Sequence, residues 1–368
     1  MSQLAPPSAD LPAPALAAVT WSDPQREAAF NTWFSSLQDP LQLQRDTLRL
    51  ASADASFRRY LRVDSASGSR IIMDAPPDKE NCKPFVEIAT LMAAAGLTVP
   101  RVLAWEPSLG FMLLSDLGHQ TMMQVIDKAN PQANQELYLQ AVDALVSWQK
   151  ASQPGVLPPY DEALLRRELD LFPDWYLAKH RGMVLEVAVR DTLNTTFKRI
   201  IEHNLAWPSV YVHRDFMPRN LMITGPVEGQ PSALGVLDFQ DAVYGPITYD
   251  IASLMRDAFL SWEEDFVLDI TIRYWEKARA AALPVGNDFG EFYRGVEWMG
   301  LQRHLKVAGI FARLTLRDGK PQYLADTPRF IGYIRATASR YIELKPLLRL
   351  IDKVEGLQDA GGFAFGRV

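Results

Sequence analysis

The sequence predicts an α+β fold with two lobes: a small, strand-rich N-terminal lobe and a larger, mainly helical C-terminal lobe. Between residues 48 and 114, short apolar runs alternate with polar positions and are separated by turns, a pattern typical of antiparallel strands. From residue 135 onward, most apolar residues recur at helical spacing. We place the boundary near Gly118, so the predicted lobes are residues 25–118 and 119–368.

Composition limits the classes of protein that this chain can be. It has 368 residues, 48% of them hydrophobic and 22% charged, which is ordinary for a globular protein. A formal net charge of −6 gives no reason to expect nucleic acid as a partner. The single cysteine, Cys82, excludes an intramolecular disulfide. Since no run of 18 apolar residues occurs, we expect no membrane span. We also expect the protein to be cytoplasmic and a monomer.

The N-terminal lobe is predicted to follow a Pro/Ala-rich tail, residues 1–24, which we expect to be disordered. The tail contains no Lys or Arg and no compact apolar core, so it does not have the pattern of a secretory signal. A helix begins at Asp23-Pro24 and ends before Asp39-Pro40. The strands and the second helix of this lobe are predicted at 48–50, 57–63, 70–74, 85–95 (the helix), 99–105 and 110–114. Gly96 ends the helix in this prediction.

The C-terminal lobe is predicted to contain seven helical segments. They are 135–151, 161–177 with a kink or break at Pro173, 191–203, 248–259, 263–282, 291–315 and 330–350. One short strand-rich stretch, 209–238, interrupts this helical series. We find no internal repeat or heptad pattern.

That strand-rich stretch holds the residues best suited to phosphoryl transfer. A β-prone run ends at His213-Arg214-Asp215, and Asn220 follows Asp215 by five positions. A turn-rich gap then returns the chain along residues 234–237 to Asp238, so a hairpin would bring Asn220 and Asp238 to the same end. Mg²⁺ beside ATP can be held by one carboxylate and one amide oxygen, which Asp238 and Asn220 would supply. Asp215 would accept the proton of the substrate hydroxyl. The alternative is a buried hairpin whose Asp and Asn only cap turns.

The same residues resemble a known family. His213–Asn220 resembles the catalytic loop of the protein-kinase superfamily, and Asp238-Phe239-Gln240 resembles its metal-binding segment. Asp250 follows Asp238 after only twelve positions, which leaves too little chain for a platform that docks a polypeptide. The chain therefore resembles the aminoglycoside phosphotransferase/choline kinase-like family. This resemblance implies a protein-kinase-like fold, ATP and Mg²⁺ as cofactors, a small-molecule acceptor, and structural roles for His213 and Asp250.

The predicted nucleotide contacts depart from the kinase pattern at two points. The turn before Phe57 has no glycine, and Asp74 stands near the place of the usual phosphate-binding lysine. A positive charge from Arg58, Arg59 or Lys79 would have to replace that lysine, although both arginines suit a solvated strand face equally well. Ser115-Asp116-Leu117 resembles the hinge that binds adenine through its backbone. The candidate cofactor-binding residues are Ser56, Phe57, Arg58, Arg59, Ser115, Asp116 and Leu117.

Four segments together resemble the bacterial anomeric kinases of cell-wall recycling: residues 53–60, 73–77, 213–220 and 302–307. That resemblance implies ATP-dependent phosphorylation of the 1-hydroxyl of N-acetylmuramate and N-acetylglucosamine in peptidoglycan recycling. Arg219 would offset charge on the transferring phosphoryl group. The candidate sugar ligands are Glu168, Trp175, Tyr176, Arg303 and His304. Each also has a purely structural interpretation, as a surface charge, a core aromatic residue or a core histidine.

Charge distribution also bears on the acceptor. Residues 291–368 contain 13 Lys/Arg and 8 Asp/Glu, a net charge of +5, which suits an anionic or neutral sugar better than a polycationic aminoglycoside. Two alternatives remain open at this point. One is an aminoglycoside- or choline-type kinase of the same fold, and the other is a non-catalytic kinase-like module that binds ATP.

Overall fold

The computed structural model describes residues 19–53, 57–225 and 234–357. The chain divides into two units. The first takes in the chain up to Glu87 together with Pro100–Leu117, and the second takes in Ile88–Val99 and the chain from Gly118 onward. Ser56, a candidate nucleotide-binding residue, and the first 18 residues of the predicted tail lie outside the described residues.

The first unit is built on a five-stranded antiparallel sheet of order β1-β2-β3-β5-β4. Its strands are β1 (Leu43–Ala53), β2 (Arg59–Ser65), β3 (Gly68–Asp74), β4 (Val102–Glu106) and β5 (Phe111–Ser115). Helix α1 (Pro24–Gln38) begins where the Asp23 side chain accepts a hydrogen bond from the Gln25 N–H, with proline in its first turn. The alternating apolar pattern of the strands therefore produces the sheet that the sequence predicts.

One face of this sheet is covered by α1. Phe30, Trp33 and Phe34 of the helix pack with sheet residues into a single buried cluster. The sheet residues of that cluster are Leu43, Leu61, Val63, Ile72, Phe111 and Leu113. Because Arg59 pairs with Asp74 in the same register as Leu61 with Ile72, both charged residues lie on the α1 side of the sheet.

The second unit contains two short antiparallel pairs among its helices. Strand β6 (Ser209–Val212) pairs with β9 (Val243–Pro246), and β7 (Leu221–Ile223) pairs with β8 (Leu234–Val236). Helix α2 (Lys83–Ala94) crosses the division between the units. The remaining α-helices are α3 (Met122–Val125), α4 (Gln135–Lys150), α5 (Glu162–Leu169), α6 (Val187–Leu205), α7 (Thr248–Met255), α8 (Glu264–Ala280), α9 (Phe289–Leu316), α10 (Thr327–Arg340) and α11 (Lys345–Glu355). No helix within the described residues is both long and apolar enough to cross a membrane.

Two predicted helices differ from those observed. The segment predicted as 161–177 ends as an α-helix at Leu169 and continues as a π-type helix, Phe172–His180, with Pro173 in its first turn, where a missing N–H is tolerated. The segment predicted as 330–350 is two helices. Tyr341 is extended between α10 and α11, and Pro346 lies in the first turn of α11. Pro346 could not occupy the interior of one continuous helix, because its ring would meet the carbonyl of Ile342.

Candidate active site

The end of β6 carries His213 into a fully buried position beside Asp215. Its Nδ1 accepts a hydrogen bond from the Asp215 N–H at 3.2 Å, and its Nε2 lies 3.0 Å from the Leu237 carbonyl oxygen. This pattern assigns the proton to Nε2. Burial lowers the pKa of His213, so the ring is a neutral brace. It connects the backbone at Asp215 with the chain just before Asp238.

Asp250, in the first turn of α7, binds the backbone of the same loop. Its carboxylate accepts hydrogen bonds from the N–H of His213 at 2.7 Å and of Arg214 at 3.0 Å. Burial raises the pKa of Asp250, while His213 and these two N–H groups oppose that rise. The loop is therefore attached to α7 through two adjacent peptide groups.

The pairing of β7 with β8 brings Asn220 and Asp238 together. Leu221 is opposite Val236, and the Leu237 N–H donates to the Asn220 carbonyl at 2.9 Å, so the next residue is Asp238. The Asn220 Nδ2 donates to the Asp215 carbonyl oxygen at 2.9 Å and to Asp238 Oδ2 at 3.2 Å. Gln240 Nε2 donates to Asp238 Oδ1 at 2.9 Å. Asp215, Asn220 and Asp238 thus meet at one end of the hairpin, and all three are half-buried.

The backbone is strained on both sides of this cluster. Arg214 has φ of 79° and Asp238 has φ of 64°, in the left-handed region that residues other than glycine rarely adopt. Each such residue costs on the order of 1–3 kcal/mol and persists only where its surroundings over-determine it. Such strain is concentrated at functional sites more often than elsewhere.

The donor set fits a magnesium ion bound together with phosphate. The side-chain amide of Asn220 contacts the Asp238 carboxylate directly, so an amide group and a carboxylate lie side by side. One carboxylate and one amide oxygen are hard ligands of the number that Mg²⁺ uses when substrate phosphates and water complete its shell. In the part of the chain that the structure describes, no group of three or more His, Cys, Asp and Glu could hold a metal ion by itself.

Glu168 and Arg303, which are candidate sugar ligands by sequence, contact the loop His213–Asn220 at Arg214. Glu168 Oε1 accepts from Arg214 Nη2 at 2.6 Å and from Lys306 Nζ at 3.0 Å. Arg303 Nη1 donates to the Arg214 carbonyl oxygen at 2.6 Å. Burial would raise the pKa of Glu168, but Lys306 and Arg214 lower it to about 2, so this carboxylate is ionised. The loop therefore rests on a buried layer of charged residues.

The other candidate sugar ligands have different surroundings. Tyr176 is fully buried and its hydroxyl donates to Glu355 at 2.6 Å. His304 is also buried, with its ring stacked 4.6 Å from that of Tyr333, and burial lowers its pKa to about 3. These contacts assign Tyr176 and His304 to the protein interior rather than to a sugar-binding surface. Trp175 is half-buried, and Lys179 Nζ lies 3.7 Å from its ring centroid.

Arg219 is exposed, and its guanidinium lies 4.7 Å from the ring centroid of Phe259. It sits on the short 3₁₀ turn Pro218–Asn220, one residue before Asn220. Its long side chain therefore starts beside the cluster of Asp215, Asn220 and Asp238.

In the first unit, the adjacent Arg58 and Arg59 bind different acids. Arg58 Nε donates to Glu80 Oε2 at 3.1 Å, and the Phe57 N–H donates to the other oxygen of Glu80 at 3.2 Å. Arg59 Nη2 donates to Asp74 at 2.7 Å, and Arg26 holds the other oxygen of the same carboxylate at 2.6 Å. Arg59 is therefore part of the buried contact between α1 and the sheet, whereas Arg58 is not.

The predicted hinge, Ser115–Leu117, is attached to neighbouring strands through the Asp116 carboxylate. Asp116 accepts from Arg62 Nε at 2.6 Å and from the Ser69 hydroxyl at 2.7 Å. The Ser115 hydroxyl oxygen accepts from the Arg101 N–H at 2.8 Å. The side chains of Ser115 and Asp116 thus bind the protein, and any contact of this segment with adenine would come from its backbone.

Sequence reasoning assigned no role to several residues that these contacts reveal. In the second unit they are Tyr160, Gln302 and Lys306 around Glu168, and in the first unit Glu80 beside Arg58. Gln302 and Lys306 belong to the segment 302–307 that carried the family resemblance. The resemblance therefore pointed to this segment but did not show what these two side chains contact. Nothing local marks Tyr160 or Glu80.

Comparison with known proteins gives the family. A model of the phosphotransferase enzyme family matches residues 47–285. An N-acetylmuramate/N-acetylglucosamine kinase of Neisseria meningitidis is 48% identical over 93% of this chain and 100% of its own length. A protein of the same name from Pseudomonas aeruginosa is 47% identical over 90% of this chain and 97% of its own.

Solved structures show the fold. An ethanolamine kinase of Plasmodium vivax has a TM-score of 0.57 at 12% identity, over 90% of this chain and 92% of that one. An ADP-bound aminoglycoside phosphotransferase has a TM-score of 0.55 at 12% identity, over 82% of this chain and 96% of that one. The predicted kinase-like α+β fold is therefore confirmed.

Proposed function

This chain belongs to the phosphotransferase enzyme family, and from that membership we propose that it is an ATP-dependent kinase of N-acetylmuramate and N-acetylglucosamine. In this proposal the enzyme phosphorylates the anomeric 1-hydroxyl of the sugar and acts in peptidoglycan recycling. The named relatives support the acceptor, since their similarity extends over nine-tenths of this chain.

The observation that carries the phosphoryl-transfer part of the proposal is the position of the Asn220 side chain. It binds both the Asp215 backbone and the Asp238 carboxylate, so it joins two residues that are 23 positions apart along the chain. Phosphoryl transfer needs a positioned acceptor hydroxyl and charge neutralisation more than covalent help from the protein. The carboxylate–amide pair of Asp238 and Asn220, with Asp215 next to it on the strained loop, suits both needs.

The roles of the residues follow from these positions. Asp215 orients the sugar hydroxyl and accepts its proton, while Asn220 and Asp238 would hold Mg²⁺ on the nucleotide phosphates. The ion, when bound, neutralises charge on those phosphates. Arg219 offsets charge on the transferring group. His213 and Asp250 fix the backbone from which Asp215 projects.

For the nucleotide, we assign the role of the absent lysine to Arg58. Arg59 is committed to Asp74 on the α1 side of the sheet, together with Arg26. Arg58 is oriented by Glu80, much as a phosphate-binding cation is oriented by an acidic partner in protein kinases. The backbone of Ser115–Leu117 binds the adenine edge.

An acceptor screen tests this function. The purified protein is given ATP and Mg²⁺ with N-acetylmuramate, N-acetylglucosamine, kanamycin or choline, and the product is examined by ³¹P NMR. We expect turnover of the two amino sugars and a phosphate at the 1-position. Turnover of kanamycin or choline without turnover of either sugar, or a phosphate at another hydroxyl, would contradict the proposal.

A further inference from the structure

We infer that Glu168, supported by Lys306 and Arg303, is a positioning residue: it holds Arg214 so that the adjacent Asp215 is presented to the acceptor. This inference rests on the proposed function, because it gives Glu168 and Arg303 a task in the same phosphoryl transfer. It replaces the expectation that these two residues bind the sugar.

The conformation of Arg214 depends on its neighbours. Its φ of 79° is disfavoured for a residue with a side chain, so the surroundings must hold it. Three contacts do so. Asp250 accepts its N–H at 3.0 Å, Arg303 donates to its carbonyl oxygen at 2.6 Å, and Glu168 accepts from its guanidinium at 2.6 Å.

The Glu168 carboxylate is fully occupied by hydrogen-bond donors. Oε1 accepts from Arg214 and Lys306, and Oε2 accepts from the Tyr160 hydroxyl and, at 2.9 Å, from Gln302 Nε2. A carboxylate has about four lone-pair positions, and four donors occupy them here. Glu168 is also only 5% exposed. A sugar hydroxyl would have to displace one of these buried partners to reach it.

The residues around Glu168 form a layer that is rich in positive charge. Arg214, Arg303 and Lys306 are three buried or half-buried cations, and Glu168 is the acid that contacts two of them directly. Arg303 also lies over the Tyr249 ring at 4.8 Å, and Lys306 donates to the Tyr249 hydroxyl at 3.3 Å. Loss of the Glu168 charge would remove the acid that pairs directly with both Arg214 and Lys306 in a buried site, and the loop would shift to solvate them.

The experiment compares Glu168→Gln with Glu297→Gln. Glu297 is a matched control: it is 3% exposed, and it accepts from Arg256 at 3.1 Å, from Arg340 at 2.7 Å and from the Tyr341 hydroxyl, none of which belongs to the catalytic loop. We expect Glu168→Gln to lower kcat about 100-fold, with the KM for the sugar changed by less than about 2-fold. Glu297→Gln should keep kcat within about 3-fold of wild type.

A double-mutant cycle with Arg214→Met separates positioning from direct contact. If Glu168 acts through Arg214, the double variant is no slower than the slower single variant. The inference would be overturned if the factors by which the two single substitutions lower kcat multiplied in the double variant. A rise of the sugar KM by more than about 10-fold at unchanged kcat would overturn it as well. Should Glu168→Gln fail to fold, Arg303→Lys provides the same test, because it keeps the charge and shortens the reach to the Arg214 carbonyl.

Amide hydrogen exchange without substrate tests the inference apart from the proposed function. We expect peptides that cover residues 213–217 to exchange about 10-fold faster in Glu168→Gln than in wild type and Glu297→Gln. Equal exchange in all three proteins would overturn the positioning role, whichever acceptor the enzyme uses. Failure of wild type to phosphorylate either amino sugar, with faster exchange in Glu168→Gln, would instead reject the acceptor and leave the positioning role standing.

Discussion

Arg58 and Arg59 are neighbours in sequence, but we expect their substitution to affect different properties: nucleotide binding for Arg58 and stability for Arg59. We expect Arg58→Met to raise the KM for ATP about 10-fold or more, because it removes the proposed phosphate contact of the first unit. Arg59→Met should leave that KM unchanged and lower the free energy of unfolding by about 1.5–3 kcal/mol. The buried Asp74 would lose one of the two arginines that pair with it among the described residues.

Steady-state kinetics with varied ATP and urea denaturation of both variants check this pair. Each variant is the control for the other, because both remove one arginine from the same end of β2. A raised KM in Arg59→Met with a normal KM in Arg58→Met would contradict the assignment of Arg58.

Individual residues of the site also show which contacts can be predicted from a sequence. Asp215, Asn220 and Asp238 could be predicted because a short spacing and one hairpin bring them together, and both are local properties of the chain. Glu168 was recognised as a candidate, but its partners Arg214 and Lys306 are 46 and 138 positions away. Only the folded chain shows that those partners occupy its oxygens, and so its role as a sugar ligand could not be tested from the sequence.

Among the elements, α9 packs closely at Gly309 on Leu171, the residue that precedes the π-type helix Phe172–His180. A Cβ at position 309 would lie 2.4 Å from the Leu171 carbonyl carbon and oxygen, which are backbone atoms that no rotamer change can move. We expect Gly309→Ala to lower the free energy of unfolding by about 1–3 kcal/mol, despite the better helix propensity of alanine.

Gly332 in α10 is the matched control for that variant. It is exposed, and no atom lies within 4 Å of a Cβ built there, so Gly332→Ala should raise the free energy of unfolding by about 0.5–1 kcal/mol. Thermal denaturation of both variants gives the signs. Stabilisation by both substitutions would mean that the π-type helix and α9 are farther apart than described.

The helices also show where apolar periodicity was insufficient. It predicted the positions of most helices, yet it extended one helix through residues 330–350 although Pro346 lies within that range. The apolar stripe continues across the break because α10 and α11 both bury a face, with Ile334 in one and Leu347 in the other. The proline was the local signal that should have ended the prediction.

For the whole molecule, buried titratable residues predict that stability falls between pH 7 and pH 5. His304 has a pKa of about 3 in the folded protein, so below pH 6.5 only the unfolded chain gains a proton and stability is lost, by about 2 kcal/mol at pH 5. Burial lowers the pKa of His213 too, with the same sign. Burial raises the pKa of Asp257 to about 6, so on acidification this carboxyl takes up its proton in the folded protein before it does in the unfolded chain. That uptake raises the free energy of unfolding by about 1 kcal/mol at pH 5 and offsets part of the loss.

Urea midpoints at pH 7, 6 and 5 check the sign and the size. The midpoint should fall on acidification, and His304→Gln should show a weaker dependence than wild type, since it removes one of the titrating groups. A midpoint that is constant or rises toward pH 5 would contradict the burial of these histidines.

The central claim is that the Asp215 carboxylate performs the chemistry while other residues bind the nucleotide, and Asp215→Asn tests it most directly. We expect the variant to bind Mg-ATP by isothermal titration with the wild-type Kd within about 3-fold. Its kcat for N-acetylmuramate should fall by about three orders of magnitude or more. Turnover by Asp215→Asn near the wild-type rate would contradict the account, since the acceptor hydroxyl would then lose its proton without this residue.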